Sequence, residues 1–295
     1  MEAYIQGFSC LLILTTLTGC IANGAIDEWR TYAQSPEERA YHLFVPENIL
    51  ENEELVPLVI NMHGATPSPP ATKTFGSAFQ KIITGMPVHS ANNGYIVVHP
   101  QARNIGGTQY WVTNDNLDVD FINGIVEALS NELPIDPRRI YLTGFSSGGI
   151  LSWKLACEYS DRYAAIAPVA ADRRAATECP NARSVPVLSF HGTADSTVGF
   201  EGGINSVTSW AEEHQCQTKE IVFSEKDSTC ERWSNCDDGS EMQFCSSQEA
   251  GHTWPSGPGS FVISAAGYGR TSYTLDATDL IWKFFANVAL PDAIH

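Results

Sequence analysis

Basic residues are scarce in this chain. Its 17 Lys and Arg stand against 34 Asp and Glu, for a formal charge of −17. Phosphates would be repelled over the range that salt leaves unscreened, so nucleic acid is excluded as a partner, and so is electrostatic docking on anionic membranes. No C-x-x-C occurs, and only His214, two residues before Cys216, lies near any cysteine beyond the first 20 residues, so a metal site built on cysteine is not expected. There is no internal repeat, no heptad run and no long Gly/Ser or Pro linker. Solenoids, coiled coils and a separate polymer-binding module are therefore excluded, and residues 21–295 are read as one catalytic-size domain. The 295 residues are 43% hydrophobic and 17% charged, enough apolar material for one sizeable core.

The only long apolar stretch runs from Tyr4 to Leu17, too short and too early for a membrane span. Residues 1–20 read as an export signal. Their end, Leu17-Thr18-Gly19-Cys20, resembles the lipobox of bacterial lipoproteins, in which the cysteine becomes the acylated first residue. The segment departs from that pattern in carrying Glu2 and no Lys or Arg before the apolar run. Both a lipid anchor at Cys20, the one membrane attachment expected, and plain secretion stay open. Export gives the cysteines a role. Cys157, Cys179, Cys216, Cys230, Cys236 and Cys245 make an even set for an oxidising compartment, which favours disulfides over free thiols. A Cys157–Cys179 bridge would pin a helix to its neighbour, while the last four cysteines fall in a segment read as loop-rich. The pairing stays open.

Short apolar runs alternate with helical patterns, which predicts a mostly parallel sheet with helices on both faces. The runs are Leu55 to Met62, Tyr95 to His99, Ile140 to Leu142, Ala164 to Val169 and Val185 to Phe190. Val119, Ile122, Val126, Leu129 and Leu133 recur at helical spacing before Asp136-Pro137. A final helix around Asp276 to Ala289 is expected to close the sheet's edge, and Arg30 to Pro46 reads as antiparallel edge strands.

Ser146 is the centre of Gly144-Phe145-Ser146-Ser147-Gly148, directly after a predicted strand. A serine hydroxyl is a poor nucleophile unless a tight turn exposes it, with a base on one side and amide donors on the other. The base must be a histidine oriented by an acid. Asp195 follows a strand in His191-Gly192-Thr193-Ala194-Asp195, where catalytic groups gather at the carboxyl ends of parallel strands. His252 lies in the loop Ala250-Gly251-His252-Thr253-Trp254-Pro255. Ser146, Asp195 and His252 thus occur in the order such a fold requires. His42 and His89 have no motif around them, His214 ends a polar helix, and His191 is read as structural. The Ser147 amide is one oxyanion donor. The other is Ala65 or Thr66, in the loop that His63-Gly64 opens. Trp254, Tyr110 and Trp111 are candidates for an aromatic wall around a phenolic acid or a sugar face.

These motifs, with Asp136-Pro137-Arg138-Arg139-Ile140-Tyr141 and Ala165-Ile166-Ala167-Pro168-Val169, resemble the polyhydroxybutyrate depolymerase and feruloyl esterase branch of the α/β-hydrolases, similar to carbohydrate esterase family 1. The resemblance implies an α/β-hydrolase fold and carboxylic ester hydrolysis without metal or organic cofactor. It also implies substrates among feruloyl or acetyl esters of plant polysaccharides or polyhydroxyalkanoate oligomers. The family often has a cysteine or glycine where this chain has Ala65, and Cys216 to Cys245 matches none of its motifs. A monomer is expected. Two other readings stay open at this point: a serine peptidase of the same fold, and a non-catalytic surface binding protein that keeps the fold as a scaffold.

Overall fold

The apolar runs become the middle of a ten-stranded sheet in a computed structural model. The structure describes residues 24–291 apart from 35–36, 52–53, 70–72, 177 and 180–182. The export signal and Cys20 lie outside the described residues. The strands are β1 (Ile26–Gln34), β2 (Glu37–Val45), β3 (Val56–Met62), β4 (Ile96–Pro100), β5 (Ile135–Phe145), β6 (Ala165–Val169), β7 (Val187–Gly192), β8 (Thr218–Glu225), β9 (Ser228–Ser234) and β10 (Met242–Ser247). Their spatial order is β1-β2-β4-β3-β5-β6-β7-β10-β9-β8. The six strands from β4 to β10 run parallel, and an antiparallel pair closes each end.

The parallel strands read as apolar runs because both of their faces are buried. Leu58, Ile60 and Leu142 point into one core layer and Val59 and Tyr141 into the other, the alternation a pleated strand imposes. Helices α3 (Leu117–Ser130), α4 (Ser147–Glu158) and α5 (Phe200–Glu213) fill the first layer around Phe121, Trp153 and Trp210. The second layer holds Ile83 from α1 (Phe75–Thr84), Met86 from α2 (Met86–Asn93), and Ile281 and Phe285 from α6 (Ala277–Phe285).

Two expectations change. The last helix, α6, does not close the sheet's edge. It lies over its middle, with Phe285 stacked on Tyr141 at 4.6 Å and Trp282 on Tyr95 at 4.3 Å between ring centroids. The cysteine-rich segment is not loop-rich either. It forms β8, β9 and β10, and β8 escapes pattern reading because nearly all of its side chains are exposed.

Disulfides join Cys157 to Cys179, Cys216 to Cys236 and Cys230 to Cys245. The first ties the end of α4 to the segment between β6 and β7, and the last crosses directly opposed residues of β9 and β10. The bridges span 22, 20 and 15 residues. In the chain-entropy model each such closure alone stabilises the fold by about 3 kcal/mol. Reduction and alkylation should therefore lower the melting temperature by several degrees or more, read by circular dichroism. A melting curve that reduction leaves in place would show that the bridges add nothing to the folded state.

Candidate active site

The register of the parallel strands sets the site. Met62 pairs with Gly144, Phe145 with Val169, and Val169 with Phe190, so β3, β5, β6 and β7 end at one level and release their loops on one edge. Ligand sites of open parallel sheets form at this carboxyl edge. Ser146 lies in the turn from β5 to α4 with φ 52° and ψ −118°, a conformation costly for any residue but glycine. Its amide donates to the Val169 carbonyl at 2.9 Å and its carbonyl accepts from Ile150 at 3.0 Å, which locks the turn. The flanking glycines are required by close approach. A Cβ on Gly144 would lie 2.5 Å from the Gly148 carbonyl carbon, and one on Gly148 would lie 2.3 Å from the Met62 carbonyl oxygen. Helix α4 starts at Ser147, so its unpaired amides and positive dipole end face the space above Ser146.

Asp195 and His252 meet in the next loops. The imidazole Nδ1–H of His252 donates to Asp195 Oδ2 at 2.7 Å, and both side chains are buried. Asp195 Oδ1 accepts from the amides of Thr197 at 2.8 Å and Val198 at 3.0 Å. Burial alone would raise the pKa of Asp195. Hydrogen bonds from His191 and His252, the charge of His252 and the Val198 amide outweigh it and hold the carboxyl well below the ordinary carboxylate range. An ionised Asp195 fixes the hydrogen of His252 on Nδ1 and leaves Nε2 free to accept a proton. The Phe145 ring, one residue before Ser146, lies 4.7 Å from the His252 ring. The Ser146 turn and the His252 loop are thus in contact.

His191, read from sequence as structural, is buried behind this pair. Its Nε2–H donates to the Val198 carbonyl at 2.7 Å and lies 3.3 Å from Asp195 Oδ2. It therefore braces the same carboxylate oxygen that His252 bonds. Its place four residues before Asp195, at a strand end, was the one signal for this in the sequence.

The His63-Gly64 loop closes the third side. A Cβ on Gly64 would come within 3.3 Å of Ser146 Cβ, so this loop lies directly against the serine. His63 is buried and neutral: Nδ1–H donates to the Gly64 carbonyl at 2.6 Å, and Nε2 accepts from the Ala102 amide at 3.0 Å. Burial, helped by the charge of Arg39 and opposed by the Gly64 carbonyl, lowers its pKa to about 4. Ala65, the next residue, is exposed, whereas Thr66 is buried and belongs to a small strand paired with Thr108–Gln109.

The aromatic wall expected from sequence is corrected. Trp254 is 0% exposed, and its Nε1–H donates to Thr278 Oγ1 at 3.1 Å, so it anchors the histidine loop to α6. Trp111 is 3% exposed, with its Nε1–H bonded to the His63 carbonyl at 2.8 Å and its amide to Ser147 Oγ at 3.0 Å. Both are packing residues because each finds a buried acceptor for its indole N–H. Tyr110 is half-buried. Among the described residues no group of three or more His, Cys, Asp or Glu gathers as a metal site would need.

A phospholipase/carboxylesterase family model matches residues 115–233, a stretch that contains Ser146 and Asp195 and ends before His252. Feruloyl esterase B of Piromyces equi is 29% identical over 224 residues, which are 68% of this chain and 40% of that protein. A bifunctional acetylxylan esterase/xylanase of Neocallimastix patriciarum is 24% identical over 223 residues, 73% of this chain and 31% of its own length. The chain spans less than half the length of these two relatives. The solved acetyl xylan esterase from Aspergillus awamori superposes with a TM-score of 0.60 at 15% identity, covering 82% of this chain and 100% of that one, a likeness of fold.

Proposed function

Because the chain belongs to the feruloyl esterase-like α/β-hydrolases, we propose that it is a serine esterase acting through Ser146, His252 and Asp195. The observation that carries this reading is the buried His252–Asp195 pair, 2.7 Å apart, in a loop that touches the strained Ser146 turn. Ser146 Oγ attacks the ester carbonyl carbon while His252 Nε2 takes its proton. The amides of Ser147 and Ala65, with Thr66 the second choice for the latter, hold the negative oxygen of the tetrahedral intermediate. His252 then gives the proton to the departing alcohol, and water attacks the acyl-enzyme by the same route.

The substrates in this reading are feruloyl or acetyl esters of plant polysaccharides, supported by the relatives' names. Residues 21–295 act as one exported, monomeric domain, either secreted or held at the cell surface by a lipid on Cys20. The three disulfides support an oxidising compartment.

Wild-type protein assayed on methyl ferulate, acetylated xylan and hydroxybutyrate oligomers tests the reading. Turnover of the first or second is expected. Turnover of hydroxybutyrate oligomers alone would replace the substrate class, and no turnover of any ester would overturn the function.

A further inference from the structure

Trp254, Trp111 and Phe145 are all buried, and the exposed aromatic ring beside His252 among the described residues is one that carries no motif. Tyr268 ends the short helical turn Ser264–Tyr268, is 48% exposed, and places its ring centroid 6.0 Å from that of His252. Its backbone is fixed against the histidine loop. The Tyr268 carbonyl accepts from the His252 amide at 2.7 Å, and the Arg270 carbonyl accepts from the Gly251 amide at 2.9 Å. The approach is so close that a Cβ on Gly251 would lie 2.2 Å from the Tyr268 carbonyl oxygen, so only glycine fits before His252. Gly267 at φ 92° and Gly269 at φ 93° let the chain turn on both sides of the tyrosine. The backbone is therefore committed to His252, while the ring is left to solvent.

We propose that Tyr268 forms the alcohol-side subsite and takes the face of the sugar ring that carries the ester. This rests on the esterase reading above and deepens it. Proton bookkeeping decides which half of the substrate meets Tyr268. The bond from Ser146 Oγ to the acyl carbon forms as the serine proton moves to His252 Nε2. The bond from the acyl carbon to the alcohol oxygen then breaks as that same proton moves from Nε2 to the leaving oxygen. The leaving oxygen must therefore sit against the His252 imidazole, and the first carbons attached to it lie against whatever borders that imidazole on its open side. The acyl group, bonded to Ser146, extends toward the serine turn instead. A half-exposed phenol ring suits a pyranose or furanose, whose C–H face packs on the aromatic face while its hydroxyls stay in water or reach the phenol oxygen.

Two esters that share an acyl group and differ in the alcohol test this: a feruloylated arabinose and methyl ferulate, each with wild type, Tyr268→Ala and Tyr268→Phe. The ratio of kcat/KM for the sugar ester to that for the methyl ester should fall about five- to tenfold in Tyr268→Ala, mainly through KM, and stay near wild type in Tyr268→Phe. An unchanged ratio in Tyr268→Ala with a wild-type melting temperature would overturn the subsite. So would equal losses on both esters, which would mean the ring only supports His252. A wild type that turns over neither ester would remove the esterase reading itself, and the subsite with it.

Discussion

Replacing Ser146 with Ala should lower kcat by roughly 10⁴ to 10⁶ while the protein still folds. The side chain is nearly buried in a turn held by backbone hydrogen bonds rather than by its hydroxyl, so removing one oxygen takes away the nucleophile and little else. His252→Ala should cost about as much, because without the base the hydroxyl keeps its proton. Asp195→Asn should be severe but milder, since its amide can present a donor to Nδ1 and favour the wrong tautomer. Steady-state hydrolysis of p-nitrophenyl acetate measures all three against circular dichroism spectra that report folding. Near-normal turnover in folded Ser146→Ala would remove the mechanism.

Acid should destabilise this protein well before its carboxylates protonate. Burial first of all, partly opposed or helped by neighbouring charges, lowers the pKa of His42, His63, His89, His99 and His214. For His63 the value is about 4 against an ordinary 6.5. As pH falls through the ordinary value, the unfolded chain takes up a proton that the folded chain refuses until about pH 4. Stability is thus fully present above the unfolded value, falls between the two, and levels off below the lower one. For fully buried His63 alone the loss is about 3 kcal/mol, and the four other histidines act in the same direction. Urea unfolding at a series of pH values between about 7.5 and 4.5 reads the effect directly. A free energy of unfolding that stays constant across that range would contradict the neutral buried state of these histidines.

Much of the fold was legible because six parallel strands buried on both faces leave continuous apolar runs, and five of those runs stand out. The sixth parallel strand, Met242–Ser247, does not, because its residues Gln243, Cys245, Ser246 and Ser247 carry no aliphatic run. The neighbouring hairpin escapes for a different reason: an exposed strand such as Thr218–Glu225 has no buried face to pattern. At the candidate site, Ser146, Asp195 and His252 stood out as polar residues in loops that follow strands, and the structure brings Asp195 and His252 into hydrogen-bond contact beside the Ser146 turn. The aromatic wall was misread because a tryptophan two residues from a histidine can face either way. Burial of Trp254 depends on Thr278, far along the chain, and no local pattern carries that information. Tyr268 was invisible for the converse reason, being brought to His252 by a backbone pairing rather than by a motif.

The bond from Trp254 to Thr278 reaches further than the loop it holds. Thr278 Oγ1 donates in turn to the Thr84 carbonyl at 2.8 Å, at the end of α1, so one hydroxyl joins the His252 loop to α1 and α6 within one core layer. One side of that loop is therefore frozen by the core and the other is open to water. On the open side, at Tyr268 and around it, side chains can change without disturbing the packed core. A substitution at Trp254 or Thr278 would instead break the buried bond and loosen the loop that carries His252, so the two sides of one loop differ in how much change they can absorb.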